Sequence, residues 1–235
     1  MESSMGEHGA FKPAPAAQSQ NKPGLEGIMT EPSESTKLEG LHVFAEYAGS
    51  RKLKGKNALI TGGDSGIGRY GTINILVNNA SKQYLCAGFQ NIDLDKSEDI
   101  FRTNIIQMIA MAKFSVPHMT RGDSIINTSS VVTFRGSGTM INYAATKGAI
   151  IGFTRSLATH LIPKGIRVNA VVPGAIYTPI QVDTRDPQQM EGWGHKAGLG
   201  RPGEPSEVAT SFVFLASADA SVYYGQVLHC YPLGD

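Results

Sequence analysis

Tyr143 and Lys147 stand four apart in Asn142-Tyr-Ala-Ala-Thr-Lys-Gly148, a spacing that on a helix puts both side chains on one face. A phenol titrates near 10 in water and is a poor base at neutral pH, but a neighbouring ammonium favours the phenolate. Such a pair can take or give the proton of an alcohol. A Ser129-Ser130 pair precedes it, ending thirteen residues before Tyr143. The Tyr-x-x-x-Lys spacing is short and also occurs on ordinary helix surfaces, so its companions decide what it means.

One companion is a glycine-rich run, Thr61-Gly-Gly-Asp-Ser-Gly-Ile-Gly68, directly after the apolar Asn57-Ala-Leu-Ile-Thr61. A strand, a glycine turn and a helix start make a phosphate cradle, because backbone N–H groups point outward and the helix dipole favours an anion. Gly62 permits the tight turn, Gly66 lets the backbone approach a pyrophosphate, and Gly68 allows close packing. The same glycines also build plain strand-to-helix turns.

The rest of the composition narrows the class. With 235 residues, 41% of them apolar, the chain can bury one sizeable core and is short for two. A formal charge of +1, from 21 basic and 20 acidic residues, gives no electrostatic footprint for nucleic acid or an anionic membrane. Neither is an expected partner. No apolar run reaches the roughly 18 residues that span a bilayer, and no leader pattern opens the chain, so a cytoplasmic location is the expectation. Cys86 and Cys230 are too few for a disulfide framework. The histidines show no metal-ligand spacing, and no metal is expected.

These residues need elements to carry them. Residues 1 to about 52 are rich in Pro, Gly, Ser, Gln and Glu and read as a disordered or loosely docked arm. From Leu53, short apolar strands alternate with helical stretches, the pattern of an α/β parallel sheet, and residues 53–235 read as one catalytic domain. Strands are expected at 57–61, 73–77, 124–128, 166–172 and 226–229, and helices at about 97–118, 142–160 and 205–216. The glycine-rich stretch 175–203, with the lone Trp193, reads as a mobile loop or lid.

Thr61-Gly-x-x-x-Gly-Ile-Gly68, Asn78-Asn-Ala80, Asn104, Ser130, Tyr143-x-x-x-Lys147 and Pro173-Gly-x-x-x-Thr178 follow one another as in the short-chain dehydrogenase/reductase family. Most of residues 53 to 229 resembles that family, and the local wording is most similar to its glucose/ribitol-dehydrogenase-like, general-stress branch. The resemblance implies a Rossmann-like doubly wound parallel sheet. It further implies an oxidoreductase that moves a hydride between NAD or NADP and an alcohol or carbonyl, such as a sugar, polyol, small aldehyde or ketone. By the same resemblance Tyr143 is the acid/base, Lys147 lowers its pKa and holds the nicotinamide ribose, Ser130 bonds the substrate oxygen, and Asn104 holds a relay water. Gly62, Asp64, Ser65, Gly66, Ile67, Gly68, Asn78, Ala80, Pro173, Gly174, Ile176 and Thr178, with Tyr143 and Lys147, form the implied cofactor site, Ile176 and Thr178 at the carboxamide. Members commonly assemble as homotetramers through the helices carrying Asn104 and Tyr143.

One departure stands out. Only Arg69 to Asn74 separate Gly68 from Ile75, whereas a crossover between parallel strands needs a dozen or more residues. Set beside the family, the chain lacks a helix, the next two strands and their helices, which is one outer half of the sheet. That half reads the adenosine ribose, so NAD against NADP is unreadable here. A catalytically silent, oligomer-forming subunit is the alternative this absence raises.

Overall fold

The computed structural model describes residues 18–21, 24–39, 44–62, 72–195 and 198–231. A small antiparallel hairpin pairs β1 (Lys37–Glu39) with β2 (Phe44–Glu46). The five apolar runs read as strands form one sheet: β3 (Ala58–Ile60), β4 (Ile75–Asn78), β5 (Ser124–Thr128), β6 (Arg167–Pro173) and β7 (Val227–Cys230), lying side by side in that order. Every neighbouring pair is parallel. This is a Rossmann-like α/β fold, and it holds one half of a doubly wound sheet. Among the described residues no strand pairs with the outer edge of β3, where Ile60 is 46% exposed.

Among the described residues β3 pairs with β4 alone, and the two are tied at the start of both strands. The side-chain oxygen of Asn74 accepts from Asn57 N–H at 3.0 Å, and the N–H groups of Asn74 and Ile75 donate to Asn57 O at 3.0 and 3.1 Å. The intervening residues 63–71 lie outside the described residues.

The helices differ from expectation at their ends. α1 (Leu94–Phe101) begins three residues earlier than the sequence suggests, because Asp93 caps it by accepting from the N–H groups of Asp95 and Lys96. A π-helical turn, Arg102–Ile106, then leads into α2 (Gln107–Ser115). α3 (Val132–Arg135) is one turn, α4 (Ile141–Leu161) is the long helix of Tyr143 and Lys147, and α5 (Pro179–Val182) and α6 (Pro187–Met190) are single turns inside the expected irregular stretch. α7 (Pro205–Ala216) starts and stops as read.

Strand alternation decides which face each helix covers. Leu59, Leu76, Ile125 and Val168 are buried on one face with Ala112 of α2 and Ala158 and Leu161 of α4. Ile105 and Met108 pack with Ile150, closing the two helices on each other. The alternate position on β5 serves the other face: Ser124 donates to Leu215 O at 3.0 Å. Beside it in register, the buried Arg167 donates to the carbonyls of Leu215, Ala216 (3.3 Å) and Ser217 (3.1 Å). A cation thus satisfies the open carbonyls at the end of α7, and burial holds its pKa below the ordinary value.

The chain divides into two compact units. One comprises Arg51–Pro173 and Ser211–Cys230, and the other the described residues of Met1–Ser50, Gly174–Thr210 and Tyr231–Asp235. This boundary differs from one drawn near residue 52, because arm residues share a core with the 174–210 segment: Met29 is buried with Tyr177, Val182 and Met190.

Arg167→Leu is expected to lower the unfolding free energy by about 3 kcal/mol, since it strands buried carbonyls that cost roughly 1–3 kcal/mol each. Urea unfolding followed by circular dichroism measures it.

Candidate functional site

In parallel α/β sheets, ligands sit beyond the carboxyl ends of the strands. At that end of β3, Thr61 Oγ1 accepts from the N–H groups of Asn79 (3.0 Å) and Ala80 (3.1 Å), joining the glycine loop to the segment after β4. Gly62 follows with φ +85°, and a Cβ there would stand 3.1 Å from Ala80 Cα. Both the backbone angle and the close approach demand glycine.

A polar ladder crosses beneath. Asn78 donates to Asn127 Oδ1 at 2.8 Å, and Asn127 donates to Thr154 Oγ1 on α4 at 2.9 Å. Thr128 Oγ1 donates to Asn79 Oδ1 at 3.1 Å. Next along β5, the Thr128 carbonyl accepts from Lys147 Nζ at 2.9 Å. That amine stands 5.3 Å from the centre of the Tyr143 ring, so α4 does bring the two side chains together. Tyr143 is 9% exposed and Lys147 is 1% exposed. Desolvation pulls the lysine down from 10.5 to about 7, which lets it hold or release a proton near neutrality.

The two serines have separate employment. Ser129 donates to Lys147 O at 2.8 Å and shares a hydrogen bond with Thr133 Oγ1 at 3.1 Å, which commits it to holding α4 against β5. Ser130 Oγ accepts one long bond, 3.5 Å from Val132 N, and keeps capacity for a ligand oxygen. Asn104, buried in the π-helical turn, accepts from Lys82 N (2.8 Å) and donates to Lys82 O (2.9 Å) and Thr146 Oγ1 (3.1 Å). Thr146 in turn donates to Tyr143 O at 2.8 Å. Asn104 therefore clamps the loop after β4 to the turn of α4 that carries Tyr143. π-Turns of this kind recur at functional sites.

Of the remaining expected residues, Asp64, Ser65, Gly66, Ile67 and Gly68 lie outside the described residues. Pro173 ends β6, and its carbonyl accepts from Val131 N at 2.9 Å. Gly174, Ile176 and Thr178 belong to the other unit, where Ile176 bridges to Gly203. Thr128 and Thr146 carry no motif of their own and Thr61 is legible only as the head of the glycine run; each is a threonine whose hydrogen-bonding role appears only when strand ends and helix meet. Among the described residues no group of His, Cys, Asp and Glu could hold a metal ion, and no helix is long and apolar enough to cross a membrane.

Residues 64–230 match the family model described as enoyl-(acyl carrier protein) reductase. The chain belongs to the short-chain dehydrogenase/reductase family. Within it, the chain is 34% identical over 282 residues to glucose and ribitol dehydrogenase of Daucus carota, covering 92% of this chain and 94% of the relative. It is also 34% identical to the chloroplastic NADPH-dependent aldehyde reductase 1 of Arabidopsis thaliana, covering 88% and 93%. The ligand-free aldohexose dehydrogenase of Thermoplasma acidophilum superposes with a TM-score of 0.62 at 34% identity, covering 68% of this chain and 67% of that one. The carrot match runs over 282 aligned residues although 92% of this chain is only about 216, so roughly 66 aligned positions have no counterpart here. An internal absence of that size accords with a five-stranded sheet ending at β3. As in its dehydrogenase and reductase relatives, the chain is an NAD(P)-dependent oxidoreductase by family.

The buried amine has a consequence for stability. Because its folded pKa lies below its unfolded one, the unfolded chain binds more protons between about pH 7 and 10.5, and stability rises with pH across that window. Lys147→Met is expected to melt higher than the wild type at about pH 6, with the difference fading toward about pH 10. Parallel melting curves for the two proteins at every pH would argue against burial as the cause.

Proposed function

We propose that the chain binds a nicotinamide dinucleotide, NAD or NADP, and oxidises or reduces an alcohol or carbonyl of a sugar, polyol, small aldehyde or ketone. The observation that carries this reading is the buried Lys147 amine beside the Tyr143 ring, with Ser130 close by in the chain after β5. The residues present fit such a cofactor: Gly62 makes the tight turn that opens the phosphate cradle, its φ of +85° and the nearness of Ala80 admitting no side chain, and Ser81 Oγ and Asn78 Oδ1 are buried oxygens without a partner in the structure. When bound, the nicotinamide supplies or accepts the hydride.

In this reading Tyr143 passes the proton at its phenol oxygen, and Lys147 stabilises the phenolate and holds the ribose. Ser130 orients the substrate oxygen. Asn104 positions the Tyr143 turn through Thr146 and keeps the relay water. Asn78, Ala80, Pro173, Gly174, Ile176 and Thr178 contribute to the cofactor site together with Gly62 and the loop residues Asp64, Ser65, Gly66, Ile67 and Gly68. The names of the carrot and Arabidopsis relatives support a polyol, sugar or aldehyde substrate. A cytoplasmic homotetramer, assembled through α1, α2 and α4, is consistent with the exposed Phe101, Ile106, Ile109 and Phe114.

A second reading rests on the open edge of β3: a silent subunit that assembles without turning over. A fluorescence titration with NADH and NADPH, followed by turnover on aldoses, polyols and aldehydes, separates the two. The enzyme reading expects binding and turnover, with Tyr143→Phe lowering kcat at least about 100-fold. Soluble assemblies that bind neither cofactor would favour the silent subunit.

A further inference from the structure

α5 and α6 are single turns of four residues, far too short to persist on their own hydrogen bonds. Their order has another source. Val182 and Met190 are fully buried in a small core that Met29 of the N-terminal arm completes together with Tyr177, with Trp193 packed alongside. The arm thus supplies core that the 174–210 segment lacks.

The polar contacts converge on Tyr177. Its hydroxyl donates to Glu31 O at 2.9 Å and accepts from the Gln18 side-chain amide, while Gln18 Oε1 accepts from Thr30 N at 2.9 Å. Tyr177 is 3% exposed, and burial, followed by the nearby Glu31, Glu204 and Glu26, raises its pKa, so the phenol remains a neutral donor. On its backbone side, Tyr177 N donates to Gly203 O at 2.8 Å. Further along the arm, Gln20 N donates to Val182 O at 3.1 Å, Gly24 N to Asp183 Oδ2 at 2.9 Å, and Glu34 N to Glu204 Oε2 at 2.8 Å. The arm lies so close that a Cβ on Gly24 would meet Pro179 O at 2.4 Å.

We propose that arm residues 18–21 and 24–34 form a strap that sets the conformation of residues 174–195 and 198–204, and that Tyr177 is the positioning residue through which it acts. In extended backbone, successive side chains face opposite ways. Fixing the Tyr177 side chain in the arm therefore fixes the orientation of Ile176 and Thr178 on either side of it. The consequence for the cofactor rests on the function proposed above; the strap itself does not.

The test uses the full chain and two variants, Tyr177→Phe, which keeps the ring and removes its hydroxyl, and Gly24→Ala, which pushes the arm away. Hydrogen–deuterium exchange of residues 176–193 is expected to speed up about fivefold or more in both, the equivalent of roughly one lost hydrogen bond, with peptides from β4 and β5 unchanged. Unchanged exchange across 176–193 overturns the strap. In steady-state kinetics the variants are expected to raise KM for NADH or NADPH by a similar factor while kcat at saturating cofactor stays within about twofold. Faster exchange with an unmoved KM overturns the positioning role of Tyr177. A wild type that binds neither cofactor sinks the proposed function instead, and the exchange result then decides the strap alone.

Discussion

The hydrogen bond from Lys147 to the Thr128 carbonyl is the contact on which the site depends. It draws a long amine side chain into a place with almost no solvent, where the Thr128 carbonyl meets the amine. Around that contact, Ser129 binds the Lys147 carbonyl and the Asn78–Asn127–Thr154 ladder ties α4 to two strands. The helix is thereby held at one depth and one rotation over the sheet. Tyr143 inherits its position from this arrangement and from Asn104, acting through Thr146.

This half of the molecule is self-consistent, although among the described residues the sheet stops at β3. Among the described residues, the groups placed around Lys147 come from β4, β5 and the serines that follow it, α4 and the π-turn, and the core beneath is drawn from β3 to β6 with α2 and α4. What a missing outer half removes in such folds is the surface that receives the adenosine end of a dinucleotide. Loss of that surface bears on how tightly a cofactor is held more than on how its reactive ring is met.

Much of this was legible in the sequence, for physical reasons that differ by element. Parallel strands buried on both faces leave continuous apolar runs, so β5 stands where Ser124-Ile-Ile-Asn-Thr128 predicts it. The i, i+4 geometry of a helix made the Tyr143 and Lys147 encounter foreseeable, and counting residues between Gly68 and Ile75 exposed the short crossover. α1 starts three residues before the expected position because Asp93 caps it, which leaves Ser97 inside the helix, where its hydroxyl donates to Asp93 O and accepts from Asn142. The arm was illegible for another reason. Gln18 and Met29 carry no local periodicity, and the groups that complete them, Tyr177 and Val182 among them, lie about 150 residues further on.

Arg167 has a bearing on acid tolerance. Its hydrogen bonds go to main-chain carbonyls, which do not titrate, whereas Lys82 is anchored by the Asp99 carboxylate, whose pKa the hydrogen bonds from Tyr84 and Lys82 hold below the ordinary value. Acidification removes charge from the second kind of anchor and leaves the first intact. Protonation of Asp99 therefore loosens the link between the loop after β4 and α1, whereas the splice between β6 and the end of α7 keeps its hydrogen bonds.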